Sequence, residues 1–140
     1  MVMKQNIINA RITFKKSPIH VLEKFAFKDM PNACLTFKKN SSVSECVIIQ
    51  TIKTFGAVSE KVVLEMVIGV ASKSHSDIAV SITGVAGPTG GTPEKPVGMV
   101  CFGFSYDGKT STSTQLFSGD RASIVSQSVS YALKQLSFRF

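Results

Sequence analysis

Three observations predict that this chain forms a single α/β domain. Two apolar runs with strand-like character, 77–82 and 97–106, flank a segment dense in glycine and proline. Asp107-Gly108 separates the second run from the Thr/Ser alternation at 110–117, which is a strong hairpin signal. Apolar residues recur at helical spacing over Glu60–Ser74 and again over Arg121–Ser137. Strands are therefore expected at 77–82, 97–106 and 110–117, and helices at those two spans.

Length and composition are consistent with one domain. A chain of 140 residues with 44% apolar content can bury one core without staples. Its longest apolar stretches are strand-length, so no membrane span is expected. No basic leader precedes an apolar run, which argues against secretion and for a cytoplasmic protein. Cys34, Cys46 and Cys101 are scattered without a C-x-x-C pair, and read as reduced thiols, not metal ligands. The net charge of +7 is lopsided: residues 1–50 carry eight Lys/Arg against three Asp/Glu, and the rest eight against six. The lysines come singly or in pairs, with no arginine stripe or aromatic platform, so a solvated basic surface is expected and nucleic acid is not.

The elements follow in order. Residues 1–9 show no clear period. A short helix is expected from Ser44, with Val47, Ile48 and Ile52 turned inward. Ser59 suits an N-cap, and Glu60 beside it suits the positive end of a helix dipole. Val62, Val63, Met66, Val67 and Val70 then form a core stripe, leaving Glu65 on the solvated face and His75 in a surface turn. The strand at 110–117 reads as a half-exposed edge. Ser118 or Asp120 caps the last helix, whose buried stripe is Ile124, Val125, Ser128, Val129, Ala132 and Leu136.

Residues 81–98, S-I-T-G-V-A-G-P-T-G-G-T-P-E-K-P-V-G, hold Gly84, Gly87, Gly90, Gly91 and Gly98 with Pro88, Pro93 and Pro96. Glycine permits close backbone approach and proline stiffens the path between. With Thr83, Thr89, Thr92 and Lys95, such a loop can hold a polar or anionic small molecule. An ordinary glycine-rich strand connection has the same composition.

This stretch closely resembles the signature of the nicotinamide mononucleotide deamidase family, the domain at the C-terminal end of competence-damage protein CinA. The family pattern runs approximately S-x-[TS]-G-x-A-G-P-x-G-G-[ST]-x-x-K-P-V-G-x-V, and every defined position is filled from Ser81 to Val100. The likeness extends to Gly56-Ala57-Val58-Ser59-Glu60, to Phe117-Ser118-Gly119-Asp120-Arg121 and to Tyr131-Ala132-Leu133. Residues 55–140 are closely family-like and residues 1–54 degenerate. The resemblance implies a three-layer α/β sandwich with a mixed sheet.

On this alignment Ala10-Arg11-Ile12-Thr13 stands at the end of the family's helix after its A-E-S-C-T-G-G nucleophile turn, so the first helix and strand are expected to be missing. Ile78, Val80 and Val100 would then flank a bare edge or gap, and a homo-oligomer could cover it. The family's Y-S-N-x-A-K matches only at Asn32, with Met30 for the tyrosine and Leu35 for the lysine. Lys38 and Lys39 are either loop charges or a relocated base.

What the resemblance implies for function is hydrolysis of the carboxamide of nicotinamide mononucleotide to nicotinate mononucleotide and ammonia, without a metal or other cofactor. A serine attacks, a lysine takes its proton, and water releases the acyl group. The implied substrate-binding residues are Thr83, Gly84, Gly87, Gly90, Gly91, Lys95 and Arg121. Arg121 near a helix start can anchor the phosphate, or can pair locally with Asp120. No catalytic serine or lysine is recognisable, so the alternatives are an active amidase and a non-catalytic nucleotide-binding remnant.

Overall fold

The computed structural model describes residues 7–14, 49–74 and 77–138. In chain order these form β1 (Ile7–Phe14), α1 (Ile49–Phe55), α2 (Glu60–Ser74), β2 (Ile78–Val85), β3 (Met99–Tyr106), β4 (Lys109–Leu116) and α3 (Arg121–Ser137). The four strands make one sheet in the order β1-β2-β3-β4.

Strand alternation sorts the sheet into two faces. Ile78, Val80 and Ile82 of β2 and Val100, Phe102 and Phe104 of β3 pack with Ile124, Ala132 and Leu136 of α3. On the other face Val85 and Cys101 meet Val58 and Val63, while Ala79 meets Val67 and Val70 of α2. Helices therefore cover both faces, which gives the three-layer sandwich. Phe102 centres the α3 side: its ring lies 4.6 Å from that of Tyr131 and edge-on to Phe117 at 6.3 Å.

The helix ends follow from their caps. Ser59 Oγ accepts from Val62 N at 3.2 Å and starts α2. Asp120 is the N-cap of α3, and its carboxylate accepts from Ser123 N at 2.8 Å. Of the two candidate caps, Asp120 takes the role. Replacing Asp120 by Ala is expected to cost about 1 kcal/mol in denaturant unfolding, since one helix-end N–H loses its acceptor; an unchanged midpoint would refute the cap. At the end of α1, Gly56 turns the chain with φ +78°, and its N–H donates to Ile52 O at 2.8 Å. The short helix expected from Ser44 is observed from Ile49, and residues 44–48 lie outside those described.

Three expectations are corrected. Residues 7–14 are a strand, not the tail of a helix, and they pair antiparallel with β2 from Ile7↔Val85 to Phe14↔Ile78. Ile78 and Val80 consequently face no bare edge, since β1 lies on one side of β2 and β3 on the other. The argument for self-association from an uncovered strand falls with it. Finally, every pairing among the described residues is antiparallel, with no parallel member of a mixed sheet. The hairpin at Asp107-Gly108 and the edge position of β4 are as expected. No helix of the described residues is long and apolar enough to cross a membrane.

Candidate functional site

The loop from Ala86 to Gly98 joins the end of β2 to the start of β3, and its two ends are tied together. Gly98 N donates to Val85 O at 2.7 Å, and Met99 N to Pro96 O at 3.1 Å. Within the loop, Thr92 N donates to Lys95 O at 2.9 Å, and Lys95 N to Thr92 Oγ1 at 3.0 Å. The Gly87-Pro88 peptide is cis. Ala86 and Gly87 are buried, whereas 88–94 are exposed. The result is a closed, proline-stiffened loop that presents its tip to solvent at one end of the sheet.

Arg121 is the first residue of α3, and its Nη1 donates to Gly87 O at 3.3 Å. The bond brings the loop and the helix start together across 34 positions of sequence. A guanidinium has five N–H donors in a planar fork, so one carbonyl leaves capacity for a bidentate anion.

Of the other expected site residues, Thr83, Gly84, Gly87 and Lys95 fall behind the loop's exposed face, while Gly90 and Gly91 lie on it. Thr83 is fully buried, and its hydroxyl donates to Ala57 O at 2.9 Å. The expected direct hydroxyl contact with a ligand gives way to an internal one, because the odd-numbered side chains of β2 face α2. Gly84, Gly87 and Gly91 lack side chains where the chain itself comes close. A Cβ would meet Val100 Cγ2 at 2.7 Å, Val97 Cγ1 at 2.6 Å and Val97 N at 2.7 Å respectively. Their smallness therefore serves the loop's own packing. Gly90 is exposed at the tip with φ +94°. Lys95 Nζ donates to Phe55 O at the end of α1.

On the α2 side of the sheet lies a polar group whose members the sequence did not bring together. Glu60 accepts from Thr112 Oγ1 at 3.1 Å and from Thr114 Oγ1 at 2.7 Å. Thr114 also donates to Cys101 Sγ at 3.6 Å. Burial pushes the Cys101 thiol above its usual range; the Thr114 hydrogen bond opposes this, Glu60 adds to it and Lys95 counters it. Cys101 thus stays a neutral thiol and not a nucleophile near pH 7. Glu65, expected on a solvated face, is instead half-buried and accepts from Thr51 Oγ1 at 2.8 Å, which joins α1 to α2. The signal available was the period-two threonine row of β4, whose face could be placed only once α2 was known to lie over it. Among the described residues no group of three or more His, Cys, Asp or Glu could hold a metal ion.

A three-layer α/β domain in which an arginine at a helix start holds a glycine-proline loop is the class that this geometry defines. The chain belongs to the CinA C-terminal domain family, whose model matches residues 39–139. It is 49% identical over 85 residues to the nicotinamide-nucleotide amidohydrolase PncC of Enterobacter agglomerans, covering 60% of this chain and 52% of the relative. The likeness to the PncC of Escherichia coli K12 is 49% over 88 residues, covering 62% and 53%. The chain thus spans about half the length of these relatives, and 20% of a CinA-like protein of Kosmotoga olearia. Among solved structures, a CinA superfamily protein from Enterobacter cloacae superposes with a TM-score of 0.67 at 31% identity, covering 81% of this chain and 76% of that one. The CihA protein of Agrobacterium tumefaciens, at 24% identity, shares the fold with a TM-score of 0.68 over 89% and 97%.

Proposed function

We propose that this chain binds a nicotinamide nucleotide between loop 86–98 and the start of α3, and that it does not hydrolyse it. The observation that carries the reading is the Arg121–Gly87 contact, which assembles the two halves of the family signature at one place. Relatives at 49% identity named nicotinamide-nucleotide amidohydrolase supply the ligand class. In this reading the free donors of Arg121 take the phosphate, and backbone N–H groups at the α3 start assist. Gly90 lets the ligand approach the tip, while Gly84, Gly87, Gly91, Thr83 and Lys95 hold the loop in shape.

Hydrolysis needs a nucleophile aligned with a base. In this reading Leu35 stands where the resemblance expects the base. Among the described candidates, Cys101 is a buried neutral thiol and Lys95 is engaged with Phe55 O.

Calorimetric titration with nicotinamide mononucleotide tests the binding half. Saturable binding is expected, weakened tenfold or more in Arg121→Ala, because a charge-assisted hydrogen bond contributes about 1.5–3 kcal/mol. Arg121→Lys is expected to recover part of the loss, as a point charge without the fork. Equal affinity in Arg121→Ala and the unaltered chain would overturn the anchor.

A further inference from the structure

We propose that Lys95 is a positioning residue that latches the loop to the end of α1, with Gly56 as its seat; the functional meaning rests on reading this loop as nucleotide-binding. Two independent features lead here. Lys95 is half-buried, and its backbone is held at both N–H and C=O by Thr92, so its stem leaves a fixed point. The stem runs away from the exposed tip, and Nζ donates to Phe55 O, a carbonyl at the C-terminal end of α1 that lies 40 positions away in sequence. Gly56, the next residue, has φ +78°, and a Cβ there would come within 2.7 Å of Lys95 Nζ. The ammonium occupies the space that a side chain at position 56 would fill.

With its ammonium directed to a helix-end carbonyl and away from the exposed tip, Lys95 acts on a ligand at the tip through the shape of the loop. The loop's second half is tied to β2 through Gly98 N and Val85 O, and Arg121 holds Gly87 in the first half. The Lys95 latch adds a third tie, to an element outside the loop and its strands. Gly56→Ala should open it from the far side: the methyl group displaces the flexible end of Lys95, without altering any loop residue or any charge.

Hydrogen exchange of the ligand-free chain tests the latch, comparing Lys95→Met, Gly56→Ala and the double variant. Each single change is expected to speed exchange of peptides covering 86–98 about tenfold. Amides of Ser81 to Thr83 report separately any global loss from alanine at a positive φ. The double variant is expected to exchange no faster than the faster single one, since both open the same tie. Affinity for nicotinamide mononucleotide should fall alike in both single variants. Unchanged loop exchange in Lys95→Met, or single effects that multiply in the double variant, would overturn the latch. Affinity lost in Lys95→Met but kept in Gly56→Ala would assign Lys95 to direct ligand contact and overturn it as well. If the unaltered chain binds no nucleotide while the exchange pattern holds, the latch stands and the nucleotide reading fails.

Discussion

No ammonia above background is expected when the purified chain is incubated with nicotinamide mononucleotide, with an intact PncC relative as positive control. Binding draws on many contacts, but the chemical step depends on one nucleophile and one base in register. Loss of a nucleophile removes on the order of 10^6-fold of rate, so an assembled loop cannot rescue turnover. The expectation rests on the resemblance, which puts Met30, Asn32 and Leu35 where the family has tyrosine, asparagine and lysine; these positions precede residues 39–139, which the family model matches. Lys38 and Lys39, the nearest substitutes for the base, lie outside the described residues. Turnover that disappears in Lys38→Ala or Lys39→Ala would reveal a relocated base and end the non-catalytic reading.

The second large effect concerns stability. Gly98 closes the loop: its N–H donates to Val85 O, its carbonyl accepts from Phe117 N at 2.9 Å, and its φ is +95°. A Cβ at this position would land on the Phe117 carbonyl oxygen, which is backbone and cannot rotate aside. Gly98→Ala is therefore expected to cost roughly 3 kcal/mol or more, combining left-handed strain with a forced shift of the chain. Gly108→Ala is the control, since Gly108 has φ +75° and nothing within 4 Å of its would-be Cβ. That change should cost about 1–2 kcal/mol from conformation alone. Equal unfolding midpoints for the two variants would show that the crowding at Phe117 is not what demands glycine.

Local signals accounted for the elements that local chemistry specifies. The bounds of α2 and α3 follow from Ser59, Asp120 and their apolar stripes. The hairpin follows from Asp107-Gly108. β2 runs on to Val85 instead of stopping at 82, because pairing with β1 and β3 continues through Gly84. β3 starts at Met99, since Val97 and Gly98 belong to the loop closure. β1 was missed although Ile8, Ala10, Ile12 and Phe14 alternate with Asn9, Arg11 and Thr13, because the resemblance placed this stretch at a helix end and its strand partner lies far along the chain.

The site was legible in composition but not in direction. Sequence marks Thr83 and Lys95 as polar residues in a candidate loop; only the fold shows that each turns inward, to Ala57 and Phe55 respectively. Arg121 and Gly87 were both identifiable, whereas their contact depends on where α3 crosses the end of the sheet.

The pairing of β1 with β2 also has a kinetic meaning. Phe14 opposite Ile78 encloses residues 15–77, whereas the β3–β4 hairpin encloses only Asp107 and Gly108. By chain-length scaling the longer closure costs about 3 kcal/mol more entropy. The β2-β3-β4 meander can thus assemble from nearby residues, and β1 adds to a sheet already formed. In native fluctuations the same asymmetry works in reverse. Of the two edge strands among the described residues, β1 is the one whose release returns the larger loop-closure entropy.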